Sequence, residues 1–145
     1  MVERCVNIYE RQGKVLIVPL YRIDGGGYVE KGPVHVLDAE AWQAVGEAIL
    51  EALAAYEEGF PMPNWNSYVP VAKNAIGVST EDEFEQGLKG CFLRVGTAEI
   101  LVTPDETKIG RGLIPLSRAE FRVPLTSDPQ ILGEIVRKGL AIARG

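Results

Sequence analysis

The feature that most constrains this chain of 145 residues is an internal repeat, in which apolar runs, prolines and glycines return in the same order. The runs VLIV and ILVT coincide when the chain is shifted by 85 residues. The other recurring positions are a proline, two glycines and a Gly-Glu pair: Pro19 and Pro104, Gly25 and Gly110, Gly27 and Gly112, and residues 46–47 and 133–134. A constant order of this kind is typical of related units in tandem. We therefore expect one unit at about residues 3–58 and a second at about residues 90–143.

The run DGGG at residues 24–27 fits either a phosphate-binding loop or a turn. A phosphate loop normally opens directly into a helix, but this run is followed by YVEKGP, which is not a helix start. The second unit lacks the full run and keeps only the two flanking glycines. We interpret the run as a turn in which glycine permits a left-handed backbone.

Each unit is predicted to contain three strands followed by a helix, a β-β-β-α order. In the first unit the strands are expected near residues 4–10, 14–22 and 28–37. Asp38 is expected to cap a helix that continues to Leu53, because aspartate is a favoured N-cap residue.

The helix of the second unit is predicted from Asp128 followed by Pro129, a cap residue before a proline at the first helical position. Its expected buried side is apolar and has helical spacing: Ile131, Leu132, Ile135, Val136 and Leu140. The predicted fold is α+β. Residues 1–145 form a single domain in which the two units share a mostly antiparallel sheet, with the helices packed on one face.

Two segments between the units have distinct sequence patterns. Residues 59–73 form an aromatic loop, which contains several prolines but is too apolar for a free linker. Residues 79–88 are predicted to form a short acidic helix, because Thr80 and Glu83 have the spacing of a capping box.

Composition and charge argue against several classes of protein. The formal net charge of −5 argues against a nucleic-acid-binding surface, which is normally basic, and suits a basic protein partner. No apolar run approaches the roughly 20 residues of a membrane helix. Two cysteines, Cys5 and Cys91, fit a reducing compartment, so we expect a cytoplasmic protein without membrane contact.

The chain shows little that suggests catalysis. The single histidine, His35, has no visible nucleophile or orienting partner, and no CxxC, HExxH or histidine cluster indicates a metal site. We therefore expect no enzyme activity and no cofactor.

Exposed carboxylates and aromatic residues are the candidates for binding. The acidic candidates lie in the short helix and after Pro104: Glu81, Asp82, Glu83, Asp105 and Glu106. They form either a solvated face or a surface that attracts a basic partner. In the aromatic loop, Trp65 and Tyr68 either pin the loop to the core or anchor an interface.

The second half of the chain resembles the immunity proteins of bacterial contact-dependent growth inhibition systems, a family first catalogued as a domain of unknown function. The resemblance covers residues 74–141 and rests on GVSTEDEFEQGLKGCFLRV, EILVTP, GRGLIPL and SDPQILGEIVRKGLAIA. It implies a non-catalytic protein that binds and neutralises the C-terminal domain of a toxin, often a nuclease. Two alternatives stay open at this point: a small-molecule-binding module or structural subunit, and an enzyme that uses carboxylates.

Overall fold

The computed structural model of the protein describes residues 4–56, 59–66 and 71–145. The first half contains four strands and a helix: β1 (Arg4–Arg11), β2 (Lys14–Arg22), β3 (Tyr28–Glu30), β4 (His35–Asp38) and α1 (Trp42–Ala54). Two short helices follow: α2 (Val71–Ala75) and α3 (Glu81–Glu85). The second half again contains four strands and a helix, with a 3₁₀ turn at Ser117–Ala119: β5 (Lys89–Val95), β6 (Glu99–Lys108), β7 (Gly112–Pro115), β8 (Phe121–Pro124) and α4 (Pro129–Ile142).

The strands form one sheet, and its path runs β3-β2-β1-β5-β6-β7, with β4 paired to β2 and β8 paired to β6. Every pair of named strands is antiparallel. The two halves join side by side through β1 and β5, where Asn7 lies opposite Phe92. The predicted α+β fold with an antiparallel sheet is confirmed.

The prediction of three strands in each half is wrong, because the third predicted segment of the first half is two strands. Gly32 and Pro33 interrupt it, and proline cannot donate to a strand ladder. The two pieces pair with different parts of β2: β3 with Leu20–Arg22 and β4 with Lys14–Ile17. In the second half, β7 and β8 divide the pairing with β6 in the same way.

The turn glycines have the conformation that the sequence predicts. Gly25 and Gly27 have φ values of +89° and +85° in the turn before β3. Their counterparts at the start of β7, Gly110 and Gly112, have φ values of +82° and +80°. The halves therefore share strand order and turn geometry, while their origin as a tandem repeat stays a prediction.

The start of α1 differs from the prediction. Asp38 ends β4, opposite Lys14 on β2, and its carboxylate lies 2.5 Å from the Lys14 ammonium. Its side chain is thus taken by a cross-strand ion pair, and α1 begins at Trp42 without a side-chain cap. In α4 the prediction is confirmed, because the Asp128 carboxylate accepts a hydrogen bond from the Ile131 N–H.

Helices α1 and α4 pack side by side on one face of the sheet. Val45, Ile49, Leu132, Val136 and Leu140 are fully or almost fully buried against alternating strand residues. The predicted buried side of α4 includes one error, because Ile131 is 48% exposed and lies on the outer surface of the helix.

The other face of the sheet, which we call the second face, is partly covered by α2 and α3. Ala72, Val78, Phe84 and Leu88 pack there against Tyr9, Leu16 and Val18. The expectation that all helices share one face is therefore wrong. A helix also begins at Val71, inside the predicted aromatic loop, and α3 is shorter than the predicted 79–88.

No helix in the described parts of the chain is long and apolar enough to cross a membrane.

Candidate functional site

The acidic side chains predicted on the short helix are all exposed: Glu81, Asp82 and Glu83. Their charge is partly compensated by neighbouring basic residues. The Lys73 ammonium lies 3.3 Å from the Glu81 carboxylate, and the Arg11 guanidinium donates a hydrogen bond to the backbone carbonyl of Glu83. The surface is accessible to a partner, but its negative field is weaker than the sequence run suggests.

The sequence suggested that Asp105 is an exposed turn residue, but the structure shows that it is buried. It lies within β6 and is only 6% exposed. Its carboxylate occupies the space beside Gly90, where a Cβ would lie 3.4 Å from Oδ2. Burial raises the pKa of Asp105 to about 6. A side chain in this position cannot contact the surface of a folded partner directly.

Glu106, the neighbour of Asp105, is half-buried and held by two internal ion pairs. Its carboxylate oxygens lie 3.4 Å from the Lys108 ammonium and 3.6 Å from the Arg144 guanidinium. These contacts tie β6 to the C-terminal residues of the chain. They leave Glu106 with little uncompensated charge for a partner.

The aromatic loop presents apolar side chains to solvent. Trp65 is 54% exposed and Met62 is 58% exposed. The backbone N–H of Asn66 donates to the Asn64 side chain at 3.1 Å, which turns the chain at Trp65. Tyr68, the other predicted anchor, lies outside the described residues.

A shallow apolar cavity of about 300 Å³ lies between this loop and the sheet. Its lining comes from β3, the loop and the start of α2: Val29, Glu30, Lys31, Phe60, Pro61, Met62, Pro63 and Val71. The Phe60 ring anchors the loop, with its centroid 5.0 Å from that of Tyr21 and 4.0 Å from the Lys31 ammonium. Val71 also packs beside the α2–α3 cluster. The loop and α3 therefore lie on the same side of the molecule.

The sequence analysis missed an acidic surface on the first half. Glu40, Glu47 and Glu51 are exposed at or just before α1. No lysine or arginine occurs between Ala39 and Ala54, so helical spacing together with the absence of basic residues could have revealed this surface. His35 Nδ1 lies 3.9 Å from the Glu51 carboxylate, and the Arg4 guanidinium donates a hydrogen bond to the Leu53 carbonyl near the end of α1.

The groups that could support catalysis or metal binding are dispersed. Among the described residues, no three histidine, cysteine or acidic side chains are arranged to hold a metal ion. Cys5 and Cys91 are both buried free thiols. Burial also raises the pKa of Cys91 above its usual value, which makes its thiolate scarce near neutral pH.

Comparison with solved structures finds other chains with the same fold, including the following two. One is a protein of unknown function from Neisseria meningitidis, with a TM-score of 0.79 and 12% sequence identity, covering 99% of this chain and 96% of that chain. The other is a chain of the CdiA-CT/CdiI toxin and immunity complex from Yersinia pseudotuberculosis, with a TM-score of 0.78 and 13% identity, covering 99% of each chain. No protein-family model and no curated protein matches the sequence.

These matches extend over the whole chain, so they concern the complete arrangement of both halves and not a shared fragment. The predicted resemblance to immunity proteins of contact-dependent growth inhibition is confirmed at the level of the fold.

Proposed function

We propose that this protein is a non-catalytic immunity protein of bacterial contact-dependent growth inhibition, which binds and neutralises a cognate toxin domain in the cytoplasm. The observation that carries the proposal is the match of the fold, over 99% of both chains, to a chain of a toxin and immunity complex. A protein that acts by covering a toxin needs a stable binding surface and no active site of its own. The net charge of −5 favours a basic target such as a nuclease.

The surface that we propose for toxin binding combines α3 with the aromatic loop. Glu81, Asp82 and Glu83 supply exposed negative charge, and Trp65 supplies exposed aromatic surface on the same loop that lines the apolar cavity. Large aromatic residues next to rim charges are the usual composition of interface hot spots. Tyr68 is retained as a proposed anchor, whereas the burial of Asp105 and the internal ion pairs of Glu106 remove both from the proposed contacts.

The test is a calorimetric titration of this protein with the C-terminal domain of a large secreted protein encoded immediately upstream. We expect one-to-one binding together with loss of toxicity when the two are co-expressed. The absence of binding to that domain would contradict the proposed function.

A pair of matched variants then locates the surface. The triple variant Glu81→Lys, Asp82→Lys, Glu83→Lys reverses three charges on α3, and Glu40→Lys, Glu47→Lys, Glu51→Lys makes the same charge change near α1. If α3 contacts the toxin, its variant should weaken binding by at least about tenfold more than the α1 variant, through faster dissociation. Equal weakening through slower association would indicate long-range attraction alone, and a larger loss in the α1 variant would place the contact on α1.

A second candidate function is favoured by the apolar cavity of about 300 Å³, which lies at the small end of the range for ligand pockets. A small-molecule-binding module or a structural subunit would use this cavity and have no toxin partner. A thermal-shift screen distinguishes a ligand-binding module from an immunity protein, because a ligand that binds only the folded state raises Tm. Loss of that shift in Met62→Lys, with an unchanged Tm of the free protein, would assign the ligand to the cavity.

A further inference from the structure

The two faces of the sheet differ in the polarity of the residues that they bury. Ile100 and Val102 on β6 pack in the apolar core under α1 and α4. Because strand side chains alternate, Thr103 and Asp105 lie on the second face, and both are buried. Burial of a carboxyl disfavours its charged form, so the packing over Asp105 is more favourable when this carboxyl is protonated.

Asp105 is covered by a small group of contacts that we call the clasp, namely α3 with Gly112 and Leu113 at the start of β7. The buried Glu85 carboxylate on α3 accepts a hydrogen bond of 2.9 Å from the Gly112 N–H. Leu113 fills the notch above Gly90, where a Cβ would lie only 2.1 Å from its Cδ2 atom. The clasp thus joins α3 to β7, and its Leu113 side chain shares the space beside Gly90 with the Asp105 carboxyl.

The α3 part of the clasp is attached to the sheet by one aromatic contact and by apolar packing, whereas Gly112 and Leu113 belong to β7 and pair with Lys108 and Thr107 on β6. Phe84 meets Tyr9 edge-to-face, with ring centroids 5.5 Å apart. Leu88, which follows α3, belongs to the same apolar cluster. A helix of this length has little stability of its own, so these tertiary contacts and the Glu85 bond determine whether it stays closed.

Burial raises the pKa of the Asp105 carboxyl from 3.8 to about 6. An open clasp would return this carboxyl to water and to its ordinary pKa. The closed form therefore binds the proton more tightly, and loss of the proton favours the open form.

Two further titratable groups near Asp105 are buried on the neighbouring strands β1 and β5. On β1, the Tyr9 hydroxyl donates a hydrogen bond to the Glu30 carboxylate, and burial raises the pKa of Tyr9 well above its usual value. On β5, burial likewise raises the pKa of Cys91. Both groups therefore stay neutral between pH 5 and pH 7.5.

The remaining charged groups around the clasp have partners of their own. Glu85 on α3 holds Gly112. At the C-terminus, the Arg144 N–H donates to the backbone carbonyl of Asp105, and the Arg144 guanidinium lies near Glu106. On β1, Arg11 donates to the backbone carbonyl of Glu83. Glu85 is the other buried carboxyl in the clasp, so it is the group to control for.

We propose that the clasp opens reversibly as Asp105 loses its proton, and that this opening exposes Tyr9 and the apolar surface of the second face. The device does not depend on the proposed immunity function, because it rests on the closed contacts of the free protein.

The test is amide hydrogen exchange of the full chain at pH 5 and pH 7.5, corrected for the intrinsic pH dependence of exchange. For a carboxyl whose pKa changes from about 6 to 3.8 on opening, the opening equilibrium rises roughly tenfold between these pH values. We expect the protection factors to fall by the same factor in peptides spanning residues 81–88 and 109–116. Peptides from α1 and α4 should keep their protection.

Two variants make the result decisive. Asp105→Asn should abolish the pH-dependent change, whereas Glu85→Gln keeps an acceptor for Gly112 and should retain it. Equal protection at both pH values in the wild-type protein, or an unchanged response in Asp105→Asn, would overturn the proposal. A response lost only in Glu85→Gln would also overturn it, because the switch would then be Glu85.

Discussion

Replacing Gly133 with alanine tests whether α1 and α4 meet through their backbones. A Cβ at Gly133 would lie 1.9 Å from the carbonyl oxygen of Trp42, the first residue of α1. A Cβ at Gly46 would lie 1.9 Å from the carbonyl oxygen of Pro129, the first residue of α4. The two contacts are reciprocal, which explains why a glycine occurs at corresponding places in the two halves.

The cost of the substitution follows from these distances. Relief of a contact of 1.9 Å requires the helices to separate by about 1 Å or more, because both clashing groups are on backbones. Overpacking of this kind typically costs about 1–3 kcal/mol, and the better helix propensity of alanine returns up to about 1 kcal/mol. We expect Gly133→Ala to lower the free energy of unfolding by about 2 kcal/mol, which for a domain of this size lowers Tm by roughly 4–8 °C.

The assay is urea denaturation followed by circular dichroism, with Gly139→Ala as the matched control on the same helix. A Cβ at Gly139 would meet only side chains, with Cys91 Sγ at 3.0 Å and Val102 Cγ1 at 3.4 Å, so that variant should stay within about 1 kcal/mol of the wild type. The double variant Gly46→Ala, Gly133→Ala should cost less than the sum of the single changes, because one separation of the helices relieves both contacts. The reasoning is refuted if Gly133→Ala is as stable as Gly139→Ala.

Two further predictions concern stability. For Asp105 the folded pKa of about 6 lies above the unfolded value of 3.8, so its contribution is most favourable below pH 4 and declines as pH rises to about 6. The free energy of unfolding of Asp105→Asn should therefore exceed that of the wild type by about 3 kcal/mol at pH 7.5, and the difference should shrink towards pH 4. If the free energies of unfolding of the two proteins differ by the same amount across that pH range, the prediction is contradicted. Asp128→Ala removes the hydrogen bond to the Ile131 N–H at the start of α4 and should lower the free energy of unfolding by about 1 kcal/mol, measured by thermal denaturation. The control Asp38→Ala changes a position that caps no helix and should lower it by less. Equal losses of stability in the two variants would show that the cap is not the cause.

The features that were predicted correctly depend on residues close together in the chain. Asp128 and Pro129 identify the start of α4 because a cap and a first-turn proline act within one helical turn. Thr80 caps α3 for the same reason, with its hydroxyl accepting from the Glu83 N–H. The glycines at 25 and 27 are required by the local φ values of a turn.

The errors concern residues whose surroundings come from distant parts of the chain. Asp38 has the local signal of a cap, but Lys14 on the neighbouring strand takes its carboxylate. Asp105 has the polarity of a surface residue, but Gly90 and Leu113 form the space in which it is buried. Of the proposed site, exposure of the α3 carboxylates and of Trp65 followed from polarity and loop composition, whereas the charge compensation by Lys73 needed the packed structure.

The sequence by itself therefore determined the glycine turns, the caps of α3 and α4 and the antiparallel α+β class, since hydrogen bonding and backbone sterics within a few residues specify the turns and the caps. Only the tertiary structure decided which face each helix covers, how α1 and α4 meet at Gly46 and Gly133, and that Asp105 is enclosed. Those outcomes depend on strand pairing and side-chain packing between segments tens of residues apart. Local propensity carries no information about such contacts until the sheet brings the segments together.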